Sequence, residues 1–180
     1  MALTELPQAI EIDSATECHV TPPDVAARMV EYLGPVGDFL TLEPSAGTGS
    51  LLEALFESGH SVNETVAIER HHGLCKAIRL RFQGCQYIDP MQRCFLEYAE
   101  EWAGRGDFPC IIMNPPFKQI RKHMAAALSL LGRGGHNGPA VLVALVPITY
   151  QHQDAELVEE LPSDTFPSCQ VSTKIIRFTL

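Results

Sequence analysis

Short apolar runs alternate along the chain with longer segments whose apolar residues recur every three or four positions. The runs predict buried strands, and the longer segments predict amphipathic helices. The predicted strands lie at 39–42, 64–69, 108–113, 140–146 and 171–180. The predicted helices begin at 21, 50 and 71, and two more span 118–131 and, as a short helix, 155–161. This alternation predicts an α/β fold, a Rossmann-like and mostly parallel sheet with helices on both faces, completed by a C-terminal antiparallel strand.

Composition favours one globular domain. The chain has 180 residues, of which 46% are hydrophobic, and no apolar run approaches the length of a membrane span. Residues 1–17 lack sustained periodicity and are predicted to form a loosely held N-terminal arm, which leaves 18–180 as a single domain. The N-terminus also lacks the basic and apolar regions of a signal peptide, so a cytoplasmic protein is expected. Its six scattered cysteines include no Cys-x-x-Cys pair, which favours buried thiols over disulfides or a metal site.

The segment 41–52, Thr-Leu-Glu-Pro-Ser-Ala-Gly-Thr-Gly-Ser-Leu-Leu, predicts a strand, a glycine turn and a helix. Pro44 ends the strand because it has no N–H to donate to a neighbouring strand. Gly47 and Gly49 lack the Cβ atoms that would block a bound group, and both can adopt positive φ. The first amides of the following helix then face the ligand. The segment is therefore a candidate ligand-binding turn.

A carboxylate follows at a matching distance. Glu69 ends the predicted second strand, about 20 residues after Gly49. At that position a carboxylate can accept hydrogen bonds from the hydroxyl groups of a ribose. The alternative is a surface glutamate beside Arg70.

The predicted strand at 108–113 is followed by Asn-Pro-Pro-Phe at 114–117. Together with the glycine turn and with Thr-Pro-Pro-Asp at 21–24, this motif resembles the class I S-adenosylmethionine (SAM) dependent methyltransferases. Within them the chain is similar to the enzymes that methylate the N6 amine of adenine, such as small phage and bacterial DNA adenine methylases. The resemblance runs from about residue 21 to the C-terminus. Without this context, Asn-Pro-Pro-Phe would be read as a turn after a strand.

The resemblance implies that SAM is the cofactor and that it binds at the carboxyl ends of the strands. The implied cofactor-binding residues are Thr21, Pro22, Glu43, Pro44, Ser45, Ala46, Gly47, Gly49, Glu69, Arg70, Cys94, Phe95 and Asn114. The alternative for the Thr-Pro segment is an ordinary helix start in which the hydroxyl of Thr21 caps the helix.

One position departs from the family. The family usually has an Asp-Phe pair after the third strand, whose carboxylate receives the adenine amino group of SAM. Here Cys94 and Phe95 match that pair best, whereas Asp89 is acidic but lacks the following Phe. Because a thiol is a poor acceptor, the hydrogen bond to adenine is expected to be weakened or replaced by a backbone group.

The resemblance assigns methyl transfer to Asn114, Pro115, Pro116 and Phe117. The side-chain carbonyl of Asn114 and the main-chain carbonyl of Pro115 accept the two N–H protons of the target amine. The two prolines stiffen the loop, so these acceptors are held in place before the reaction. Phe117 stacks on the target base, which must be flipped out if it lies in a duplex.

Charge complicates the choice of substrate. The net charge of −9 opposes binding to nucleic acid, but Lys118, Arg121 and Lys122 form a dense basic cluster directly after Phe117. This cluster is expected to contact phosphates, and the alternative is a solvated helix face.

The first functional hypothesis is an adenine-N6 methyltransferase acting on DNA. No insertion between strands is long enough for a target-recognition segment. Sequence specificity is then low, or recognition comes from a second copy or a separate partner, or the substrate is RNA. The alternatives are an RNA adenine-N6 methyltransferase, a protein glutamine N5 methyltransferase and a non-catalytic SAM-binding protein.

Overall fold

A computed structural model describes residues 19–37, 39–84, 88–105, 107–166 and 171–180. The α-helices in these residues are α1 (Pro23–Leu33), α2 (Ser50–Glu57), α3 (His72–Phe82), α4 (Phe95–Trp102) and α5 (Ile120–Leu130). The strands are β1 (Thr41–Glu43), β2 (Thr65–Glu69), β3 (Met91–Gln92), β4 (Cys110–Met113), β5 (Val141–Pro147), β6 (Glu156–Glu160) and β7 (Thr173–Thr179). The N-terminal arm predicted at 1–17 lies outside the described residues.

The strands form one sheet in the order β3-β2-β1-β4-β5-β7-β6. The first five strands in this order are parallel, and β7 runs antiparallel to both of its neighbours, β5 and β6. The predicted fold class is therefore confirmed, including the antiparallel strand near the C-terminus. The chain order of the strands reverses between β1 and β4, and in sheets of this kind ligands bind at such a reversal.

Helices cover both faces of the sheet. Val141, Val143 and Leu145 belong to a core that includes side chains of α1 and α2. The intervening residues Leu142 and Ala144 belong to a second core with side chains of α4 and α5. Because side chains alternate along a strand, β5 is buried on both faces, as its continuous apolar sequence predicted.

The helix predicted at 155–161 is wrong, because Glu156–Glu160 forms the edge strand β6. This strand pairs antiparallel with β7, with a register shift between Leu157 and Glu159. Alanine, leucine and glutamate favour a helix locally, but backbone pairing with β7 overrides that preference. Its glutamates also suit an exposed edge, where charge discourages pairing with another chain.

Two further helices differ from the predicted elements. The polar, glycine-containing residues 99–107 predict a connection and no helix, but Phe95–Trp102 forms α4. Phe95, Tyr98 and Ala99 share the buried face of α4, with the spacing expected for one side of a helix. The helix predicted at 118–131 begins later, at Ile120, because the residues after the Asn-Pro-Pro motif first form a 3-10 turn, Phe117–Gln119.

The prediction of buried thiols is confirmed for Cys75 and Cys110. Burial also raises the pKa of Cys110 to about 11, so this thiol stays protonated at neutral pH. The thiol of Cys94 is only partly buried, and the cysteines at 18, 85 and 169 lie outside the described residues. None of the helices in the described part of the chain is long and apolar enough to cross a membrane.

Candidate active site

A cleft opens at the carboxyl ends of β1, β2 and β4, where the chain order of the strands reverses. The predicted site residues that line it are Thr21, Glu43, Pro44, Ser45, Ala46, Gly47, Glu69, Arg70, Cys94, Phe95, Asn114 and Pro116. Residues far apart in sequence therefore meet in one cleft, because parallel strands end at the same edge of the sheet.

Other predicted residues adjoin the cleft without lining it. These residues are Pro22, Gly49, Pro115, Phe117, Lys118, Arg121 and Lys122. The three basic side chains are exposed on the 3-10 turn and the first turn of α5, next to the Asn-Pro-Pro-Phe loop. The loop and the basic cluster thus occupy one rim of the cleft.

The glycine turn has the backbone conformation that its sequence predicted. Gly47 and Gly49 have φ values of 54° and 86°, in the region that favours glycine. A Cβ on Gly49 would also lie only 3.1 Å from the ring of Phe82. The turn is tied to the sheet because the amide of Ala46 donates to the carbonyl of Ile68 at 2.9 Å. Backbone thus forms this wall of the cleft.

Glu69 anchors the same turn. One carboxylate oxygen accepts a hydrogen bond from the amide of Gly47 at 2.9 Å, and the other accepts from the amide of His71 at 2.7 Å. The side chain is 7% exposed and lines the cleft. Since each carboxylate oxygen can accept two hydrogen bonds, Glu69 keeps acceptor capacity for a ligand.

Asn114 is oriented by the segment before α1. Its amide nitrogen donates to the carbonyl of His19 at 2.8 Å and to the hydroxyl of Thr21 at 3.0 Å. Its side-chain oxygen is buried and has no partner in the described residues. The alternative in which Thr21 caps α1 is therefore wrong: Pro22 occupies the N-cap position, and no side chain caps the helix. The hydroxyl of Thr21 is instead an acceptor for Asn114.

The aromatic ring after the two prolines already has a stacking partner. The rings of Phe117 and His19 are stacked, with centroids 5.3 Å apart and planes inclined by 28°. One face of the Phe117 ring is therefore covered by an aromatic ring of the chain itself, that of His19.

Glu43, at the end of β1, is fully buried in the cleft wall. Burial raises the pKa of this carboxyl well above its ordinary value, and the nearby charge of Glu69 raises it further. A weak hydrogen bond from the amide of Ser45, at 3.4 Å, acts in the opposite direction. A cationic ligand in the cleft would favour the ionised carboxylate and so gain a counter-charge.

The cleft concentrates polar groups that lack partners. In the described part of the chain, eight side chains have a buried nitrogen or oxygen without a hydrogen bond, and five of the eight line this cleft. The five are Glu43, Ser45, Arg93, Asn114 and His123. Because buried polar groups in folded proteins are nearly always paired, this concentration indicates a site built for a polar ligand.

His123 is a cleft residue that the sequence reasoning missed. It lies on α5, is 8% exposed and lines the cleft beside Phe95, with ring centroids 5.7 Å apart. Burial, and then the positive charge of Arg70, lowers its pKa to about 4. The sequence carried a signal for this position, since Ala127 and Leu130 follow at the spacing of one helix face. The neighbouring Arg and Lys residues instead made the segment look solvated.

The two placements considered for the family's Asp-Phe pair are also distinguished. Cys94 follows β3, occupies the N-cap position of α4 and lines the cleft. Asp89 is exposed, lies outside the lining and is bonded to Arg79 at 2.6 Å. The preferred Cys94 placement is therefore the one that faces the cleft.

No protein-family model and no curated protein sequence matches the chain. Solved structures do match its fold. A modification subunit of a putative type I restriction enzyme from Vibrio vulnificus YJ016 is 19% identical with a TM-score of 0.72, and the match covers 89% of this chain and 44% of the subunit. The 23S rRNA methyltransferase ErmE is 17% identical with a TM-score of 0.67, covering 86% of this chain and 66% of ErmE.

A putative RNA methyltransferase from Pyrococcus horikoshii is 16% identical with a TM-score of 0.62, and the match covers 94% of this chain and 88% of that protein. The chain thus spans less than half of the restriction-enzyme subunit and about two thirds of ErmE. The conclusion is one of architecture: this chain has the Rossmann-like fold that these methyltransferase structures share.

Proposed function

We propose that the chain is a SAM-dependent methyltransferase that methylates the exocyclic N6 amine of adenine in DNA. The observation that carries the proposal is the state of Asn114. Two hydrogen bonds hold its amide nitrogen, while its carbonyl oxygen is buried without a partner in the described residues. An acceptor kept in this way beside a ligand cleft is suited to receive an N–H of a substrate amine.

SAM fits the opposite wall of the cleft. The backbone of the glycine turn allows close approach of the cofactor's amino-acid end, and Glu69 has acceptor capacity left for ribose hydroxyls. The buried carboxyl of Glu43 and the carboxylate of Glu69 suit a ligand that carries positive charge. When bound, SAM supplies an activated methyl group on a sulfonium.

Asn114 and Pro115 act on the target amine. The lone pair of an aromatic amine is delocalised into the ring, which makes the nitrogen a weak nucleophile. Hydrogen bonds from its two N–H groups to the Asn114 side chain and the Pro115 main-chain carbonyl draw the nitrogen towards tetrahedral geometry. Because both acceptors sit in a loop stiffened by Pro115 and Pro116, little reorganisation is needed at the moment of transfer.

Phe117 holds the base that carries the amine. One face of the Phe117 ring is covered by the ring of His19, so a base that stacks on Phe117 takes the other face or displaces the His19 ring. A base in a duplex would be flipped out to reach this position. The amine loses its extra proton after the methyl group has moved, so the site needs no general base before attack.

The exposed basic residues support a nucleic-acid substrate. Arg121 and Lys122 are exposed beside the Asn-Pro-Pro-Phe loop, on the rim that a strand would cross to deliver its base. RNA is the second candidate substrate. The fold neighbours include a 23S rRNA methyltransferase as well as a restriction-enzyme subunit, so fold similarity supports both nucleic acids.

A transfer assay tests the proposal. Labelled SAM is incubated with single-stranded DNA, duplex DNA, RNA and a protein pool, and the methylated product is digested and identified by mass spectrometry. We expect N6-methyladenine in DNA. N6-methyladenosine found only in RNA would show that RNA is the substrate. Methylglutamine would show that the methyl acceptor is a protein and not a nucleic acid. Absence of transfer to every pool, with a folded protein, would contradict the proposed activity.

A further inference from the structure

The cleft contains a buried histidine to which the methyl-transfer chemistry gives no role. His123 lies on the buried face of α5 and lines the cleft, and its Nδ1 has no hydrogen-bond partner in the described residues. An imidazole nitrogen that is buried without a partner costs stability, because it loses its hydrogen bond to water. Its presence in the lining therefore needs an explanation.

The described neighbours of His123 lie on the cofactor side of the cleft. Its ring is 5.7 Å from that of Phe95, and the charge of Arg70 acts on it. Both neighbours follow strand ends on the cofactor side, after β3 and β2. The ring that stacks on Phe117, beside Asn114, belongs instead to His19. His123 thus lies with Phe95 and Arg70 in one part of the cleft, called the sub-pocket below. The base of a nucleoside would enter it if Glu69 held the ribose.

That sub-pocket lacks a carboxylate at the position where one was expected. Cys94 lines it, and a thiol is a weak donor and a weak acceptor. Neutral imidazole offers one good donor and one good acceptor. Since burial and Arg70 keep the pKa of His123 at about 4, the ring is neutral at physiological pH and keeps its acceptor nitrogen.

We infer that His123 hydrogen-bonds to the 6-amino edge of the cofactor's purine and so sets the preference for an adenine nucleoside, in place of a side chain at position 94. This inference rests on the proposed use of SAM. The amino group at C6 donates to the acceptor nitrogen of the imidazole. Replacing that amino group by a 6-oxo group substitutes an acceptor for the donor and breaks the match with the imidazole tautomer that binds adenine.

Calorimetry on the full chain tests the inference with two ligands, S-adenosylhomocysteine and its 6-oxo analogue S-inosylhomocysteine. Wild-type protein should bind the adenosyl ligand about tenfold or more tightly than the inosyl ligand, the size expected for one mismatched buried hydrogen bond. His123→Leu should weaken binding of the adenosyl ligand by about tenfold and bring the two affinities close together.

Two further variants identify which ring nitrogen of His123 makes the hydrogen bond, and they guard against misfolding. His123→Asn keeps a polar group near the place of Nδ1, and His123→Gln keeps one near the place of Nε2. The variant that retains the preference for the adenosyl ligand marks the nitrogen involved. The matched control is His60→Leu, which removes another buried histidine, 4% exposed and outside the cleft lining. It should leave both affinities unchanged.

The outcomes separate the inference from the proposed function. If His123→Leu, His123→Asn and His123→Gln all keep the wild-type affinities and preference, the inference is overturned while SAM use stands. A change confined to the KM of the methyl acceptor would also overturn it, because His123 would then face the target base. If wild-type protein binds neither ligand, the proposed function falls and the inference falls with it.

Discussion

The two walls of the cleft hold their polar side chains in opposite ways. On the glycine-turn wall, both oxygens of Glu69 are occupied by backbone amides, those of Gly47 and His71. On the other wall, the side-chain oxygen of Asn114 has no partner in the described residues, and its amide nitrogen makes both hydrogen bonds. Glu69 therefore shapes the backbone that would hold the cofactor, whereas Asn114 is oriented by its neighbours and keeps its acceptor for a ligand.

Glu69 and Asn114 lie at equivalent strand ends, but their removal is expected to change different measured quantities. Removing Glu69 leaves two amides without acceptors, so the loss appears in folding and in cofactor binding. Removing Asn114 deletes an acceptor that the fold does not use, so the main loss appears in methyl transfer. The His19 carbonyl and the Thr21 hydroxyl also lose a donor, which adds a smaller loss of stability.

The largest expected effect is that of Asn114→Ala on methyl transfer. We expect at least about a 10²-fold lower transfer rate, because one preorganised electrostatic contact to the reacting group is removed. Affinity for S-adenosylhomocysteine should stay close to that of the wild type. Single-turnover transfer and calorimetry measure the two quantities. Transfer at the wild-type rate would show that Asn114 does not act on the target amine, and that the two walls do not differ in the way described.

His123 adds a pH dependence to the cofactor side of the cleft. Its pKa is about 4 in the folded chain, against an ordinary value of about 6.5, so the unfolded chain binds the extra proton more readily. The fold therefore carries no protonation penalty from His123 above about pH 6.5 and loses stability as the pH falls towards 4, by about 3 kcal/mol in total.

Urea unfolding of wild-type protein and His123→Leu from neutral pH down to about pH 4 measures this loss. The free energy of unfolding should fall more steeply with acidification in the wild type, because leucine has no proton to bind. Parallel curves for the two proteins would show that the imidazole is not buried in the neutral form.

Glu69→Ala should destabilise the fold by about 2 kcal/mol, since the amides of Gly47 and His71 lose a charged acceptor. Affinity for S-adenosylhomocysteine should fall as well, because the turn relaxes and the ribose loses its acceptor. Glu69→Gln, which keeps one oxygen, should show a smaller loss of stability. An unchanged unfolding midpoint for Glu69→Ala would contradict the anchoring role of the carboxylate.

Thr21→Val tests how the other wall holds Asn114. It removes one of the two acceptors of the Asn114 amide and leaves the carbonyl of His19. We expect methyl transfer to slow by about fivefold, which corresponds to one hydrogen bond of about 1 kcal/mol. Thr21→Ser keeps the hydroxyl and is the control. Equal rates for the two variants would show that His19 alone orients the amide.

Charge reversal on the rim should have the smallest of these effects, and the effect is on affinity for DNA. Arg121→Glu or Lys122→Glu should weaken DNA binding and lower the slope of log affinity against log salt by about 0.9 for each phosphate that the side chain no longer neutralises. Lys76→Glu on α3 makes the same change in charge at an exposed site outside the cleft lining. If Lys76→Glu weakens binding equally, net charge and not the rim explains the weaker binding.

The alternation of strands and helices, the position of the glycine turn and the candidate site residues at strand ends followed from the sequence alone. These features depend on local periodicity and on where glycine and proline stand, and both can be read from neighbouring residues. The apolar run of β5 likewise predicted a strand buried on both faces. Glu69 and Asn114 could be placed in one cleft because parallel strands end at the same edge of a sheet.

Tertiary structure alone decided the features that depend on distant partners. Glu156–Glu160 became a strand only by pairing with β7. Asn114 is oriented by His19 and Thr21, which lie 95 and 93 positions earlier in the chain, and no local sequence pattern indicates that contact. His123 is buried because α5 packs against the sheet with that face inward. Interactions between segments far apart in sequence outweighed local preference in each case, and they are the ones that complete the cleft.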